Sequence, residues 1–506
     1  MIQQIDYFVI APPLVLALVA GLVLLLDVFL PARPRTKPAL GLVTMAGILI
    51  SLGFVIAQAA GGGGPRSTFC VPPERASGLC SFVVDGFTLT FGVLVLVAAV
   101  VVVLMSMTEL AGGGIPVGEW YFLLLCTLVG AVTLPASRDL IMLVVALELV
   151  SLPVFALTAM RRYDGRASEA AVKLFVVSVV STAVMLFGVS LLYGLAGTVY
   201  LSRLSAVFSG RIPAPGMADG AALTTGQDLP AVVTVGVVLV VAGFAFKIAA
   251  VPFHSWAADV YQGAPIPVAA LLSVISKAAG FAGLMLVLTI GLSGQAATWA
   301  PIVAIIAALT MTVGNLLAMR QRSAVRLLAW SSVAQSGYVL APLAVAAASG
   351  SAITTVSASM AYLLIYAAMN LGAFAVVLLV SRTSAGNELD DYRGLALRSP
   401  AAGLSLAFCL ICLAGLPPGL AGLFAKVFVF RELVEGGSGW LAVIMAANTV
   451  IGLYYYATWT ARLFTPGEAR IPHPPPPMTR PAIGLAVAVA VLFSLAPQLA
   501  LDLTAL

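Results

Sequence analysis

Long apolar runs, separated by short polar or Pro/Gly-rich punctuation, follow one another along almost the whole 506-residue chain. A helix needs about 20 largely apolar residues to cross a bilayer. Runs of that kind predict helices at 8–29, 38–59, 83–108, 118–134, 139–159, 170–194, 231–262, 267–292, 298–318, 327–347, 358–382, 401–435, 438–463 and 479–500, fourteen in all. Proline interrupts two of them: Pro252 in the seventh, and Pro417–Pro418 in the twelfth. The first run lacks a basic start and a small-residue cleavage site, so it is expected to remain as a span. No stretch reads as a separate soluble domain.

Composition sharpens this picture. The chain is 61% hydrophobic and 9% charged, with a mean hydropathy of +1.10. A soluble domain carries about 25% charge, so these charges cannot clothe a water-exposed surface. The fold class expected is an all-α polytopic membrane protein. The net charge of +5 is scattered through loops and forms no basic patch, which argues against nucleic acid as a partner. Two histidines and five cysteines without four-ligand spacing argue against haem, iron–sulfur or zinc sites in this chain. The sequence shows neither a P-loop nor a strand-linked GxGxxG, so nucleotide binding is not expected.

Loop charges predict the orientation. With the N-terminus outside, the inner loops hold fifteen Lys/Arg residues and the outer loops six, which places both termini outside. Cys70 and Cys80 share one outer loop, CVPPERASGLC. A disulfide is sterically reasonable there in an oxidising compartment, and two free thiols remain the alternative. Cys126, Cys409 and Cys412 fall in apolar helices and are expected to pack.

The candidate chemistry lies in the buried charges. Of five lysines only Lys37 is in a loop; Lys173, Lys247, Lys277 and Lys426 fall within predicted spans, as does Glu148. A charge at the bilayer centre costs about 2.5–3.5 kcal/mol, so five unpaired and lipid-facing would cost roughly 12–18 kcal/mol. That rivals the stability of a whole domain. They must face the interior, pair, or lose their charge. Burial disfavours an ammonium and a nearby carboxylate restores it, so a lysine beside a movable carboxylate is a switchable proton site. Lys277, Lys426 and Glu148 are too deep to snorkel, whereas Lys173 is close enough to its helix start to do so. His254, in PFHSW, reads either as a relay group or as a packed histidine.

The two interrupted helices are ordered oppositely, Lys247 before Pro252 but Pro417–Pro418 before Lys426. Inverted-topology repeats would produce that reversal. Irregular backbone at membrane depth is tolerated only where protein or a water cavity covers it, so both breaks mark interior polar sites.

The stretch FKIAAVPFHSWAADVYQGAPIPVAALLSVISK (246–277) resembles the signature of the antiporter-like membrane subunits of respiratory complex I, and its VYQGAP portion is similar to the subunit N branch. RLLAWSSVAQSGY (326–338), DDYRGL (390–395) and GLPPGLAGLFAK (415–426) resemble the same family in order and spacing. The resemblance implies two inverted five-helix repeats, each with one broken helix. It divides the chain into N-terminal helices (1–110), a first repeat (111–295), a second repeat (296–465), and a C-terminal loop and helix (466–506). It implies that Glu148 pairs with Lys247, that Lys277 bridges to the centre, and that Lys426 serves the second half and its exit. Lys173 matches a family lysine. Function would then be proton translocation in the bacterial cell membrane, within a translocase oxidising NADH and reducing quinone. FMN and Fe–S clusters would reside in partner subunits, with no cofactor or redox centre in this chain. The partners implied are a neighbouring antiporter-like subunit, small membrane subunits and membrane lipid.

Two positions depart from the family pattern. Gln335 stands where a histidine is common, and Val325–Arg326 where two basic residues are usual. A multi-subunit cation/proton antiporter and a hydrogenase membrane arm are rival readings from other functional classes. A solitary solute transporter fits least, because no polar side-chain cluster suggests a substrate pocket.

Overall fold

The computed structural model describes residues 5–30, 36–62, 64–72, 78–161, 163–212, 231–346, 352–384, 386–467, 472 and 476–505. Of the loop charges used for orientation, Arg33, Arg35, Arg75, Arg162 and Arg470 lie outside these residues, as do His473 and part of the proline run after it. The chain is helical nearly throughout. It begins with α1 (Ala11–Phe29), α2 (Thr36–Ala60), a hairpin of β1 (Arg66–Cys70) and β2 (Cys80–Val84), then α3 (Gly86–Leu110) and α4 (Val117–Thr133). Next come α5 (Leu140–Ala159), α6 (Gly165–Ala196), α7 (Leu201–Phe208), α8 (Ala231–Lys247) and α9 (Ser255–Gly263). A single rod follows: α10 (Ile266–Leu271), a wide π-helical turn at Leu272–Ser276, α11 (Lys277–Met285) and a second π turn at Leu286–Gly291. The remainder is α12 (Ala296–Ala318), α13 (Ala324–Leu340), α14 (Ala352–Ser381), α15 (Leu395–Arg398), α16 (Pro400–Ala414), α17 (Leu420–Glu435), α18 (Gly439–Phe464), α19 (Thr479–Leu495) and α20 (Gln498–Thr504).

Helix starts follow local chemistry. Asp85, Asp139 and Asp164 cap α3, α5 and α6 by accepting first-turn backbone N–H groups, which otherwise have no intrahelical partner. Among the described residues ten helical spans are long and apolar enough to cross a membrane, or eleven if the α19–α20 pair, bent by 99°, counts as one. The protein is thus a polytopic all-α membrane protein. The predicted span 231–262 is divided into α8 and α9 by residues 248–254, and 401–435 into α16 and α17 by residues 415–419. α8 and α16, at 17 and 15 residues, are each shorter than a full crossing.

Burial sorts these helices into a centre and a rim. The membrane-crossing window of α14 is buried throughout and that of the α10–α11 rod nearly so, whereas α1 and α6 leave broad apolar faces exposed. In a bilayer those faces are in their proper solvent. Two elements escaped the sequence pattern. α7 is a short amphipathic helix of eight residues. The β-hairpin forms in a loop rich in Gly and Pro, with Cys70 opposite Cys80 and a disulfide joining them. Phe82 and Val84 of its second strand pack on Val9 and Ala136.

Candidate functional site

Glu148 of α5 and Lys247, the last residue of α8, meet in the first half of the chain. Lys247 Nζ donates to Glu148 Oε1 at 3.2 Å, to Ser151 Oγ at 2.7 Å and to Ser178 Oγ at 3.0 Å. Glu148 also accepts from Thr182 Oγ1 at 2.7 Å. Helical spacing builds this nest: Glu148 and Ser151 are three apart on α5, Ser178 and Thr182 four apart on α6, so each pair shares a face. The lysine side chain is 6% exposed and the glutamate 24%, so the acid keeps an open side while the base is enclosed. A void of about 20 Å³ adjoins Lys247, with Ser151, Ser178 and Ser276 among its walls. That is the size of one water molecule.

The break after α8 is covered by side chains, as a backbone at membrane depth requires. Val251 N–H donates to Thr310 Oγ1 at 2.9 Å, Ser336 Oγ donates to Ile248 O at 2.8 Å, and Trp256 Nε1 donates to Phe246 O at 3.3 Å. Ser336 has a second role. It accepts from Lys277 Nζ at 2.9 Å, while Lys277 also donates to Ser332 O at 2.6 Å. One hydroxyl therefore links Lys277 to the backbone beside Lys247. Lys277 stands directly after the π turn at 272–276, a distortion often found at functional sites.

Lys426 of α17 reaches back across the second break. Its Nζ donates to Leu413 O at 3.2 Å and Ala414 O at 2.7 Å, the C-terminal carbonyls of α16. An ammonium is favoured there by the helix dipole. Gly415 allows the approach: its φ is +83°, and a Cβ would lie 3.2 Å from Lys426 Nζ. Among the described residues neither Lys277 nor Lys426 makes an ion pair. Only neutral oxygens hold them, so either can carry or release a proton without stranding a buried carboxylate.

Between these two lysines lies a hydroxyl-rich seam that the sequence reading did not single out. Tyr362 OH donates to Gln335 Oε1 at 2.6 Å, and Gln335 Nε2 donates to Tyr456 OH at 3.3 Å. Tyr456 OH is also hydrogen-bonded to Ser331 Oγ. Tyr338 stacks on Tyr362 at 5.8 Å, and its ring faces Lys426 Nζ at 5.7 Å. The available signal was the polar stripe Ser331, Ser332, Gln335, Ser336, Tyr338 in a buried 17-residue helix.

Lys173 and His254 stand apart from this row. Lys173 is 44% exposed and pairs with Glu169 at 2.7 Å and Asp259 at 3.0 Å. His254 lies in the first break with its ring 5.4 Å from Trp330. Pro252 falls within residues 248–254 and Pro417–Pro418 within 415–419, the segments that separate the half-helices. No group of three or more His, Cys, Asp or Glu side chains among the described residues is placed to share a metal ion.

Residues 137–452 match the family described as NADH:quinone oxidoreductase/Mrp antiporter, TM. The chain belongs to this family. It is 48% identical to NADH-quinone oxidoreductase subunit N 2 of Streptomyces griseus, over 98% of this chain and 93% of that protein. It is 43% identical to NADH-quinone oxidoreductase subunit N of Salinispora tropica, over 94% of this chain and 88% of that one. Among solved structures, a chain of respiratory complex I from Thermus thermophilus with bound aureothin superposes with a TM-score of 0.75 at 29% identity, covering 97% of this chain and 98% of that one. Within the family the likeness is thus to the subunit N branch, along essentially the full length.

Proposed function

We propose that this chain is the subunit N-type component of the membrane arm of a bacterial NADH:quinone oxidoreductase, and that it moves protons through a buried relay of Glu148, Lys247, Lys277 and Lys426. Redox chemistry takes place in partner subunits that hold FMN and Fe–S clusters. Its energy reaches this chain as a movement or a change of field. Closing the Glu148–Lys247 pair stabilises the ammonium; opening it drives the proton toward Lys277, then through water beside the Gln335–tyrosine seam to Lys426. Residues 111–295 and 296–465 act as inverted halves, each with a lysine at its broken helix. Both termini face outward, and the partners are the neighbouring antiporter-like and small membrane subunits. The observation that carries the reading is the Glu148–Lys247 contact at 3.2 Å, enclosed with two serine hydroxyls.

Moving one proton against 100 mV requires about 2.3 kcal/mol, which a single buried ion pair can supply. A tagged copy of the chain, purified in mild detergent, is expected to bring NADH:quinone oxidoreductase activity and flavin absorbance with it. Lys247→Ala in that complex is expected to assemble and to abolish proton pumping by this subunit. Normal pumping by the variant would sink the relay. An intact complex lacking flavin and NADH oxidation would instead favour a cation/proton antiporter.

A further inference from the structure

Asp259, in the middle of α9, divides its carboxylate between two helices. Oδ2 accepts from Lys173 Nζ of α6 at 3.0 Å, and Oδ1 from Arg326 Nη1 of α13 at 2.9 Å. Lys173 also pairs with Glu169 at 2.7 Å, and Arg326 donates to Gln262 Oε1 at 2.9 Å and Gln321 Oε1 at 3.3 Å. A pocket of about 340 Å³ opens between α6 and α9, with Arg166, Glu169, Lys173, Asp259 and Gln262 on its walls. The void beside Lys247 lies in the same seam, where α6 contributes Leu174 and Ser178 and α9 contributes Trp256. Leu174 follows Lys173 directly, and Trp256 is about one turn from Asp259. Leu174 and Trp256 thus line the void beside Lys247, while Lys173 and Asp259 line the charged pocket.

α9 has nine residues, and its N-terminal side adjoins the non-helical stretch 248–254. A helix so short is not stable alone, so its seat is decided by what its side chains and backbone touch. Gly263 sits so close to α6 that a Cβ would meet Ala170 Cβ at 2.5 Å and Arg166 O at 2.6 Å. Asp259 is the charged tie, and it reaches both halves of the chain at once.

We propose that Leu174 and Trp256 form a barrier between the charged pocket and Lys247, and that Asp259 is a positioning residue: by bridging Lys173 and Arg326 it keeps α9 seated, so that barrier stays closed and proton access to Lys247 through this seam depends on the latch. The proposal rests on the relay reading of Lys247. Without the carboxylate, Lys173 and Arg326 face each other across α9, and Glu169 answers only the lysine.

The test uses the assembled complex carrying Leu174→Cys and a small water-soluble methanethiosulfonate. Asp259→Asn is expected to raise the labelling rate at that cysteine about tenfold, within what two part-exposed ion pairs can shift. The same variant, without the cysteine, is expected to change the pH profile of proton pumping, and Asp259→Glu to restore both readouts. Unchanged labelling together with an unchanged pH profile would overturn the latch. If Asp259→Asn does not assemble, Lys173→Met replaces it: a smaller rise in labelling supports the proposal, and none refutes it. Labelling reports the latch whether or not Lys247 carries protons, and Lys247→Ala reports the relay alone, so the two readings fail separately.

Discussion

Shortening the acid of the buried pair gives the relay a graded test. In Glu148→Asp the carboxylate withdraws by about 1.5 Å, the length of one C–C bond. The observed separation from Lys247 Nζ is 3.2 Å. At an effective dielectric of about 20 the attraction is about 5.2 kcal/mol at that distance and about 3.5 kcal/mol after the withdrawal. The loss, about 1.7 kcal/mol, is most of the roughly 2.3 kcal/mol needed per proton against 100 mV. Glu148→Gln removes the attraction altogether while keeping a group that Thr182 can still hydrogen-bond. The assay is NADH-driven acidification by the complex in sealed vesicles, expressed as protons per NADH and normalised to assembled complex. Pumping should fall in the order wild type, Glu148→Asp, Glu148→Gln, with NADH oxidation by uncoupled vesicles largely retained in the aspartate variant. Equal pumping by wild type and Glu148→Gln, or better pumping by the glutamine than by the aspartate variant, would refute the argument that the charge of Glu148 drives the step.

Two further outcomes are expected. At Gly280 a Cβ would lie 3.0 Å from Ile248 Cγ2 and 3.3 Å from Lys247 Cβ, so Gly280→Ala requires these neighbours to give by a few tenths of an ångström and should cost less than the valine. Gly280→Val should cost about 1–3 kcal/mol, lowering both the melting temperature in detergent and the pumping ratio; equal values for the two variants would show that the rod is not packed against Lys247 as described. Tyr456→Phe removes the hydroxyl shared by Gln335 and Ser331. It is expected to slow pumping with normal assembly, and an unchanged rate would exclude that hydroxyl from the route between Lys277 and Lys426.

The hairpin and the tyrosine seam show where sequence reasoning stops. Segment 66–84 carries two short strands that pair with each other, and its Gly/Pro content reads as loop. A tyrosine in an apolar run fits packing as readily as hydrogen bonding, so the sequence alone does not distinguish the two. Tyr362 and Tyr456 are brought together by Gln335, which lies 27 and 121 residues away from them. Gln335 shows the same limit from the other side: its failure to titrate is plain in the sequence, but the two hydroxyls around it are not.

The membrane class, the long apolar runs, the prolines that fall within two of them, and the presence of charges too costly to face lipid are all legible in the sequence alone. Each of these is a local property, set by hydropathy over one span or by the missing N–H of a proline. Tertiary structure decided which charges meet. Glu148 and Lys247 are 99 residues apart, and family resemblance rather than spacing anticipated their pairing. Lys173, for which the sequence leaves a buried role and a place near the surface both open, lies on a part-exposed face against Asp259. The physical reason is that burial of a side chain depends on the helix packed opposite it. In a membrane, where lipid and protein interior are equally apolar, hydropathy cannot say which face that will be.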